Sequence, residues 1–221
     1  MNYCLLCGET LENTLSFHQL FLLKREEHQV CFSCQSKFER ISDNHCPTCY
    51  KPKYSEECSD CQYWKAKGVT IQHSSLFTYN EAMKEYFSRY KFQGDYLLRY
   101  VFSKELKETF KAYKNHMIVP LPVSEKRYEK RSFNQVIGLL EAANVPFKEI
   151  LGKLDTLSQS SKNRQERLRT EQSFFLKTES LPTKKILLVD DIYTTGATLQ
   201  LATKLLYEHG VAEVATFSLA R

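Results

Sequence analysis

The sequence has little glycine and proline, 7 and 6 of 221 residues, and no cysteine after residue 61. So little glycine and proline argues against long linkers. No apolar run approaches the roughly 20 residues that a membrane-spanning helix needs, and the chain does not open on a basic region followed by an apolar stretch, so we expect neither a membrane span nor a signal peptide. The remaining composition, 42% hydrophobic and 26% charged, excludes disordered and fibrous proteins and predicts one or two globular domains.

The cysteines form four Cys-x-x-Cys pairs, all near the amino terminus. Without a secretory signal, we expect the chain to fold in a reducing compartment, where structural disulfides are rare. Two such pairs supply the four-sulfur tetrahedron that zinc prefers and leave no position open for a reacting water. The sequence therefore predicts two structural zinc sites, one formed by Cys4, Cys7, Cys31 and Cys34 and the other by Cys46, Cys49, Cys58 and Cys61.

Other interpretations of the cysteines are weaker. The second group, Cys-x2-Cys-x8-Cys-x2-Cys, has the tighter spacing, although an interleaved pairing across the two groups stays open. Free thiols or a redox pair do not cluster in four identical doublets, and iron–sulfur ligands usually lie in more compact runs. Bound metal would replace the hydrophobic core that about 60 residues build poorly alone.

Charge divides the chain in the same way as the cysteines. Residues 1–65 carry 7 Lys+Arg and 9 Asp+Glu, whereas residues 66–221 carry 24 and 17. We therefore predict a zinc-binding module at 1–65 and a larger basic domain at 66–221. The basic residues bunch in two groups: Lys126, Arg127, Lys130 and Arg131, then Lys153, Lys162, Arg164, Arg167 and Arg169. Such runs are usually solvated faces, but a nearby phosphate motif favours a functional role.

Helical and strand patterns alternate in the larger part. Hydrophobic spacing predicts helices at Glu81–Phe92, Leu97–Tyr113, Phe133–Ala143 and Ala197–His209. Short apolar runs predict a strand that runs into a tight loop within Met117–Pro122, and strands at Lys185–Asp190 and Glu213–Leu219, while the polar stretch 155–173 predicts a loop. This alternation is typical of an α/β domain with a parallel sheet flanked by helices.

One motif, Ile186–Thr198, predicts a phosphate site. A buried strand ends in Asp190 and Asp191, and a hydroxyl-rich loop then leads into a helix. Ligands of open α/β sheets bind at the carboxyl ends of strands, and amides at a helix N-terminus suit a phosphate dianion. The two acids can accept hydrogen bonds from a sugar diol or hold Mg2+ through water. Because the loop lacks the Gly-Lys-Ser/Thr of a P-loop and the spaced glycines of a dinucleotide fold, a phosphorylated ribose fits better than ATP or NAD.

The same residues resemble a known family. Residues 186–198 resemble the phosphoribosyl pyrophosphate motif of type I phosphoribosyltransferases. The resemblance extends over essentially the whole chain to the ComF/ComFC late-competence family through the Cys-x-x-Cys head, Lys91–Asp95, Val119–Pro122, Arg131–Gln135 and the loop Gln159–Phe174. It implies a type I phosphoribosyltransferase fold behind a zinc-binding head.

The resemblance also implies roles for individual residues. It implies that Asp190 and Asp191 are catalytic and contact the ribose hydroxyls. It implies that the 5′-phosphate is bound by Thr194, Thr195, Gly196, Ala197 and Thr198, and that the residues near pyrophosphate with its Mg2+ are Leu121, Arg127 and Arg131. A flexible loop able to cover the site carries Lys162, Arg164 and Arg167. Two residues depart from the family, Ser132 where glycine is frequent and Thr170 where asparagine is frequent.

The expected function follows from the resemblance. It implies a cytoplasmic protein, peripheral at the inner face of the membrane through its partners, that is required for DNA uptake in natural transformation. This protein would bind phosphoribosyl pyrophosphate and work with single-stranded DNA and a ComFA-like competence helicase. Purine-salvage relatives place an aspartate at Thr194, and threonine cannot act as a base near neutral pH. The alternative is an active phosphoribosyltransferase with an unidentified amine or nucleobase acceptor.

Overall fold

The computed structural model describes residues 2–11, 30–68, 72–154, 173–178, 181 and 185–221. In these ranges the helices are α1 Phe32–Gln35, α2 Ser59–Ala66, α3 Glu81–Phe92, α4 Ser103–Phe110, α5 Glu125–Arg131, α6 Gln135–Ala142 and α7 Ala197–Glu208. The strands are β1 Asn2–Tyr3, β2 Thr10–Leu11, β3 Gln72–Phe77, β4 Met117–Pro120, β5 Leu151–Lys153, β6 Phe174–Leu176, β7 Lys185–Ile192 and β8 Glu213–Ala220. None of the helices described is long and apolar enough to cross a membrane.

A four-stranded sheet in the order β3-β8-β7-β4 forms the centre of the fold. Its three strand pairs are all parallel, with Ile186 opposite Val214 and Leu187 opposite Ile118. The carboxyl ends of all four strands therefore meet at one edge, which carries Asp190 and Asp191. This parallel sheet confirms the predicted α/β class.

Strand β7 is covered on both faces, which explains its uninterrupted apolar sequence. Leu187 and Val189 belong to a buried cluster with side chains of α3, α4 and α6. Ile186 and Leu188 belong to a second cluster with side chains of α7, and this cluster also contains the cysteines of the Cys46–Cys61 group. The second cysteine group is thus packed directly against the sheet that carries the acids.

Strand β3 is absent from the sequence prediction because two of its three inward side chains are polar and only the last, Phe77, is hydrophobic. His73 and Ser75 are buried, and His73 shares a hydrogen bond of 2.9 Å between its Nδ1 and Thr216 Oγ1. Ser75 Oγ lies 2.7 Å from Ser218 Oγ on β8. Burial holds the pKa of His73 well below its usual value, so the ring is neutral. These groups satisfy one another, so a strand without a hydrophobic pattern is buried in the sheet.

The predicted helix Leu97–Tyr113 is replaced by three pieces: a 3-10 helix at Tyr96–Tyr100, α4, and a 3-10 helix at Lys111–Tyr113. Leu98, Phe102, Leu106 and Phe110 are all buried, so the spacing of four residues correctly identifies the buried face but not the breaks. The predicted strand within Met117–Pro122 stops at Pro120, and the predicted helix Phe133–Ala143 starts at Gln135. Most of the predicted loop, 155–172, lies outside the described residues.

Candidate functional site

The two acids lie at the carboxyl end of β7 and bond to the backbone that follows them. Asp191 N donates to Asp190 Oδ1 at 2.9 Å, and Ile192 N donates to Asp191 Oδ1 at 2.8 Å. Asp191 is only 6% exposed, and its other oxygen is ion-paired with Lys91 of α3. The backbone bonds and the ion pair hold the carboxylates in place beside the loop that follows.

The neighbourhood separates the acidities of the two carboxyls. Burial and the adjacent Asp191 raise the pKa of Asp190 to about 7. Burial also raises the pKa of Asp191, but the Lys91 ammonium outweighs it and the pKa of Asp191 falls below its usual value. Near neutral pH, Asp191 is therefore ionised while Asp190 is able to gain or lose a proton.

Three further cations surround the acids. Burial lowers the pKa of Lys153, on β5, to about 8, although Asp190 opposes the shift. Burial also lowers the pKa of Arg131, with Asp191 opposing and Arg127 adding to the shift. With Lys91, three cations interact with the two carboxylates, and Arg127 adds a fourth positive charge beside Arg131 and Lys153. Such an excess of positive charge favours a polyanionic ligand.

The sequence prediction assigned no role to Lys91 and placed Lys153 only in the second basic group, without a contact to the acids. Lys91 is the first residue of the family motif Lys91–Asp95, and this position is the signal by which the sequence could have identified it as a site residue. Lys153 lies before the loop that is predicted to cover the site. The loop residues Lys162, Arg164 and Arg167 lie outside the described residues.

The predicted phosphate loop follows β7 and begins α7 at Gly196. Gly196 has a φ of 77° and offers no capping side chain, and the hydroxyl of Thr195 accepts only a long hydrogen bond, 3.5 Å, from Ala197 N. The amides of the first helical turn have no partner within the helix. Thr194 is exposed and Thr198 half-buried, whereas Thr195, Gly196 and Ala197 are buried. The loop thus reaches the protein surface at Thr194 and Thr198, while its middle residues are buried.

Tyr193 lies beneath the loop and explains the glycine at 196. A Cβ added at Gly196 would lie 2.1 Å from Tyr193 Oη, far inside van der Waals contact. Tyr193 is buried, and its Oη has no hydrogen-bond partner among the described residues. Only a glycine lets the chain pass this close to the ring with a positive φ.

The loop after β4 is fixed beside the acids by Asn134. Leu121 N donates to Val189 O at 2.9 Å, and Asn134 Nδ2 donates to Leu121 O at 3.0 Å. The same asparagine caps α6, because its Oδ1 accepts from Val136 N at 2.9 Å. One side chain therefore joins the start of α6 to the predicted pyrophosphate loop.

Helix α5, which carries Arg127 and Arg131, ends at Ser132 in the left-handed region, with a φ of 64°. The left-handed region costs a non-glycine residue about 1–2 kcal/mol. A glycine at position 132 would avoid this cost. The serine bears the cost and still adopts the backbone conformation that ends the helix.

We expect Ser132→Gly to raise the free energy of unfolding by about 0.5–1 kcal/mol, because it removes this strain. Urea denaturation measures the change. Ser124 lies at the other end of α5 with a φ of −71°, so Ser124→Gly is the matched control and should lower stability. A lower stability for Ser132→Gly would contradict the argument.

The structure brings the eight cysteines together in the two predicted groups, and in each group the four Sγ atoms lie within 4.8 Å of one another. In the first group Cys7 Sγ lies 3.7 Å from Cys31 Sγ. In the second, Cys46 Sγ lies 3.8 Å from Cys61 Sγ. A zinc–sulfur distance of about 2.3 Å implies tetrahedron edges of about 3.8 Å. Both groups therefore fit a four-sulfur metal site.

Backbone amides in both groups favour the thiolate that metal binding needs. Cys31 N donates to Cys4 Sγ at 3.3 Å, and Cys58 N donates to Cys46 Sγ at 3.3 Å. Burial raises the pKa of Cys4, but the hydrogen bonds from Cys31, Cys7 and Leu6 outweigh it and bring that pKa to about 6. A hydrogen bond with Cys61, aided by Arg221, lowers the pKa of Cys49 to about 5.

Comparison with known proteins identifies a family and relatives of this chain. Residues 123–221 match the phosphoribosyl transferase domain family. Competence protein ComFC of Streptococcus pneumoniae is 51% identical over 99% of both chains. Competence protein ComFC of Bacillus subtilis is 40% identical over 99% of this chain and 94% of that protein.

A weaker likeness connects the chain to a solved structure, a hypoxanthine phosphoribosyltransferase from Staphylococcus aureus. The identity is 18%, with 56% of this chain and 63% of that chain covered and a TM-score of 0.33. At this score the likeness supports no inference about function. Identity over the full length with the two relatives is decisive: the chain belongs to the ComF/ComFC family of competence proteins and carries a phosphoribosyltransferase domain.

Proposed function

We propose that this protein serves DNA uptake in natural transformation and that its body, residues 66–221, binds phosphoribosyl pyrophosphate with Mg2+. The names of its relatives support the first part. One observation carries the second: two acids, four cations and the amides that begin α7 converge at the carboxyl end of β7. This is the edge at which α/β sheets bind their ligands.

Each part of the ligand has a partner in this arrangement. Asp190 and Asp191 accept hydrogen bonds from the ribose hydroxyls and can hold Mg2+ through water. The amides and hydroxyls of residues 194–198 bind the 5′-phosphate. Arg127, Arg131 and Lys153 neutralise the charge of the pyrophosphate.

Binding without turnover is favoured by the residues next to the loop. Thr194 is a poor proton acceptor near neutral pH. Burial raises the pKa of Tyr193 above its already high usual value, so the phenol stays protonated. In the proposed role in DNA uptake, phosphoribosyl pyrophosphate is therefore a ligand that the protein senses or requires, and not a substrate that it consumes.

A second candidate, an active phosphoribosyltransferase, is favoured by Asp190. A carboxyl with a pKa of about 7 suits general acid–base catalysis at neutral pH. It would take a proton from an amine or a nucleobase while Asp191 stays ionised. Turnover separates the two candidates.

Single-stranded DNA is the proposed macromolecular ligand, and α5 supplies a suitable surface. Tyr128 is 53% exposed between the exposed Lys126 and Lys130, and Phe92 is 70% exposed with the Arg131 guanidinium 5.0 Å from its ring centroid. Aromatic rings among cations stack unpaired bases without sequence preference. An unchanged DNA affinity of Tyr128→Ala in a filter-binding titration would argue against this surface. The ComFA-like helicase partner rests on family membership alone.

The head, residues 1–65, is proposed to hold two zinc ions as structural elements. Each ion is held by four thiolates, so no position remains for a reacting water. The metal-bound cysteines would stabilise the fold of the head. The cysteines of the second group also form part of the buried cluster against which β7 and α7 pack.

The proposed ligand is tested by the double variant Asp190→Asn, Asp191→Asn. We expect it to bind labelled phosphoribosyl pyrophosphate at least tenfold more weakly, because the partners of the ribose and of Mg2+ lose their charge, while the fold persists. Equilibrium dialysis measures affinity, and circular dichroism checks the fold. Asp43→Asn makes the same chemical change at an exposed position and should bind like the wild type.

Two outcomes decide between the candidates. Wild-type affinity in the double variant would overturn the assignment of this site. Pyrophosphate release, assayed with a panel of amines and nucleobases, would establish the transferase if one acceptor supports rapid turnover. Tight binding with no release across the panel would support the competence factor without turnover.

A further inference from the structure

Arg221 joins the buried cysteine group to the phosphate loop. Its Nη2 donates to Cys49 Sγ at 3.1 Å and its Nε donates to Cys49 O at 3.0 Å. From the same guanidinium, Nη1 donates to Thr194 O at 2.7 Å. One rigid planar group therefore contacts a metal ligand and the loop together.

Other contacts fix this guanidinium in place. Its carbon lies 4.5 Å from the ring centroid of Tyr193, the ring beneath Gly196. The backbone of Arg221 continues the sheet edge, because its N donates to Phe77 O and its O accepts from Tyr79 N, each at 2.9 Å. The sheet edge therefore fixes the backbone of Arg221, and the ring of Tyr193 packs against its guanidinium.

Trp64 makes a second connection between the same two parts. Its Nε1 donates to Thr195 O at 2.9 Å, and the indole is buried. Trp64 lies on α2, which begins directly after Cys58 and contains Cys61. Both Cys-x-x-Cys pairs of the second group are thus connected to the loop, one through Arg221 and one through α2.

The two connections act on the peptide planes of the cradle. The peptide bond is planar, so the C=O of one residue and the N–H of the next have a fixed mutual direction. A bond that holds Thr194 O therefore fixes the N–H of Thr195, and a bond that holds Thr195 O fixes the N–H of Gly196. These amides lie in the segment proposed to bind the 5′-phosphate.

We propose that Arg221 and Trp64 couple metal binding at Cys46, Cys49, Cys58 and Cys61 to ligand binding at the phosphate loop, with Arg221 as a positioning residue. The inference rests on the proposed binding of phosphoribosyl pyrophosphate. Metal in this group fixes Cys49 and α2, and through them the two carbonyls of the loop. Such coupling is reciprocal, so the ligand must raise the affinity for this metal by the same factor.

The test measures ligand affinity by calorimetry and the extent of metal release at equilibrium with a chromogenic chelator, with and without saturating phosphoribosyl pyrophosphate and Mg2+. In the wild type the ligand should raise the affinity for one of the two metals roughly tenfold and so lower its release to the chelator. Arg221→Gln should keep its metal, bind the ligand roughly tenfold more weakly and lose this protection. Trp64→Phe, which removes only the indole donor, should shift both readouts less but in the same direction.

Arg99→Gln is the matched control, because Arg99 is also half-buried and donates to Tyr96 and Tyr100 hydroxyls at 2.8 and 2.9 Å. It should change neither readout. If the wild type binds the ligand but metal release is the same with and without it, the coupling is wrong while the proposed function stands. If the wild type does not bind the ligand, the proposed function and the coupling both fail. Unchanged affinity and protection in Arg221→Gln and Trp64→Phe would show that neither residue carries the coupling.

Discussion

Gly196→Ala is expected to lower the affinity for phosphoribosyl pyrophosphate at least 100-fold. The new Cβ would lie 2.1 Å from Tyr193 Oη and 2.5 Å from Cζ, and the φ of 77° disfavours any side chain. The tyrosine cannot yield, because Arg221 covers its ring and the His73 ring centroid lies 4.2 Å away. The loop must move instead, and the amides that bind the 5′-phosphate move with it.

Calorimetric titration measures this loss, and thermal unfolding measures the accompanying loss of stability, about 1–3 kcal/mol for the strain. Gly210→Ala is the matched control. Gly210 has a φ of 82°, but a Cβ there would meet none of the described atoms within 4 Å. The control should lose about 1 kcal/mol of stability and keep its affinity. A Gly196→Ala protein that binds as well as the wild type would contradict the loop assignment.

Cys58→Ser is expected to release one of two metal ions per chain and to destabilise the protein strongly. Cys58 Sγ lies 3.5 Å from Cys49 Sγ and 3.7 Å from Cys61 Sγ, and all four cysteines of this group are buried in a cluster with β7 and α7. Losing a structural metal from such a core costs several kcal/mol, which corresponds to a fall in Tm of roughly 10 °C. Elemental analysis of the purified protein counts the metal.

Cys7→Ser provides the comparison within the same chain. Cys7 is exposed, and the buried members of its group form a small separate cluster with Leu11. We expect this variant also to lose one metal but to retain most of its stability and all of its ligand affinity. Two metals per chain in Cys58→Ser would contradict the ligand grouping.

The sequence predicts the elements around the candidate site well because their signals are local. The run Ile186–Val189 is apolar since β7 is buried on both faces, and the acids lie in the last residues of that strand. Helix α3 is predicted at its observed bounds, Glu81–Phe92, because its buried residues repeat at helical spacing and Asn80 caps it, accepting from Met83 N. In these segments the residues nearby in the sequence are sufficient to predict the secondary structure.

The parts that the sequence does not predict depend on distant partners. Strand β3 is polar, and its burial makes sense only beside Thr216 and Ser218 of β8. Lys153 reaches the acids only because the antiparallel pair of β5 and β6 packs in the buried cluster that contains Ile186 and Leu188 of β7. Nothing in the sequence around Arg221 distinguishes it from the other arginines. Its role becomes visible only in the fold, where it contacts Cys49 and Thr194.

The central claim is that one pocket at the end of β7 holds a phosphorylated ribose, and a structure of the protein with phosphoribosyl pyrophosphate and Mg2+ tests it most directly. The account predicts the 5′-phosphate within hydrogen-bonding distance of the amides of residues 195–198, with the ribose hydroxyls at Asp190 and Asp191. A ligand bound elsewhere, or its absence at saturating concentration, would contradict it.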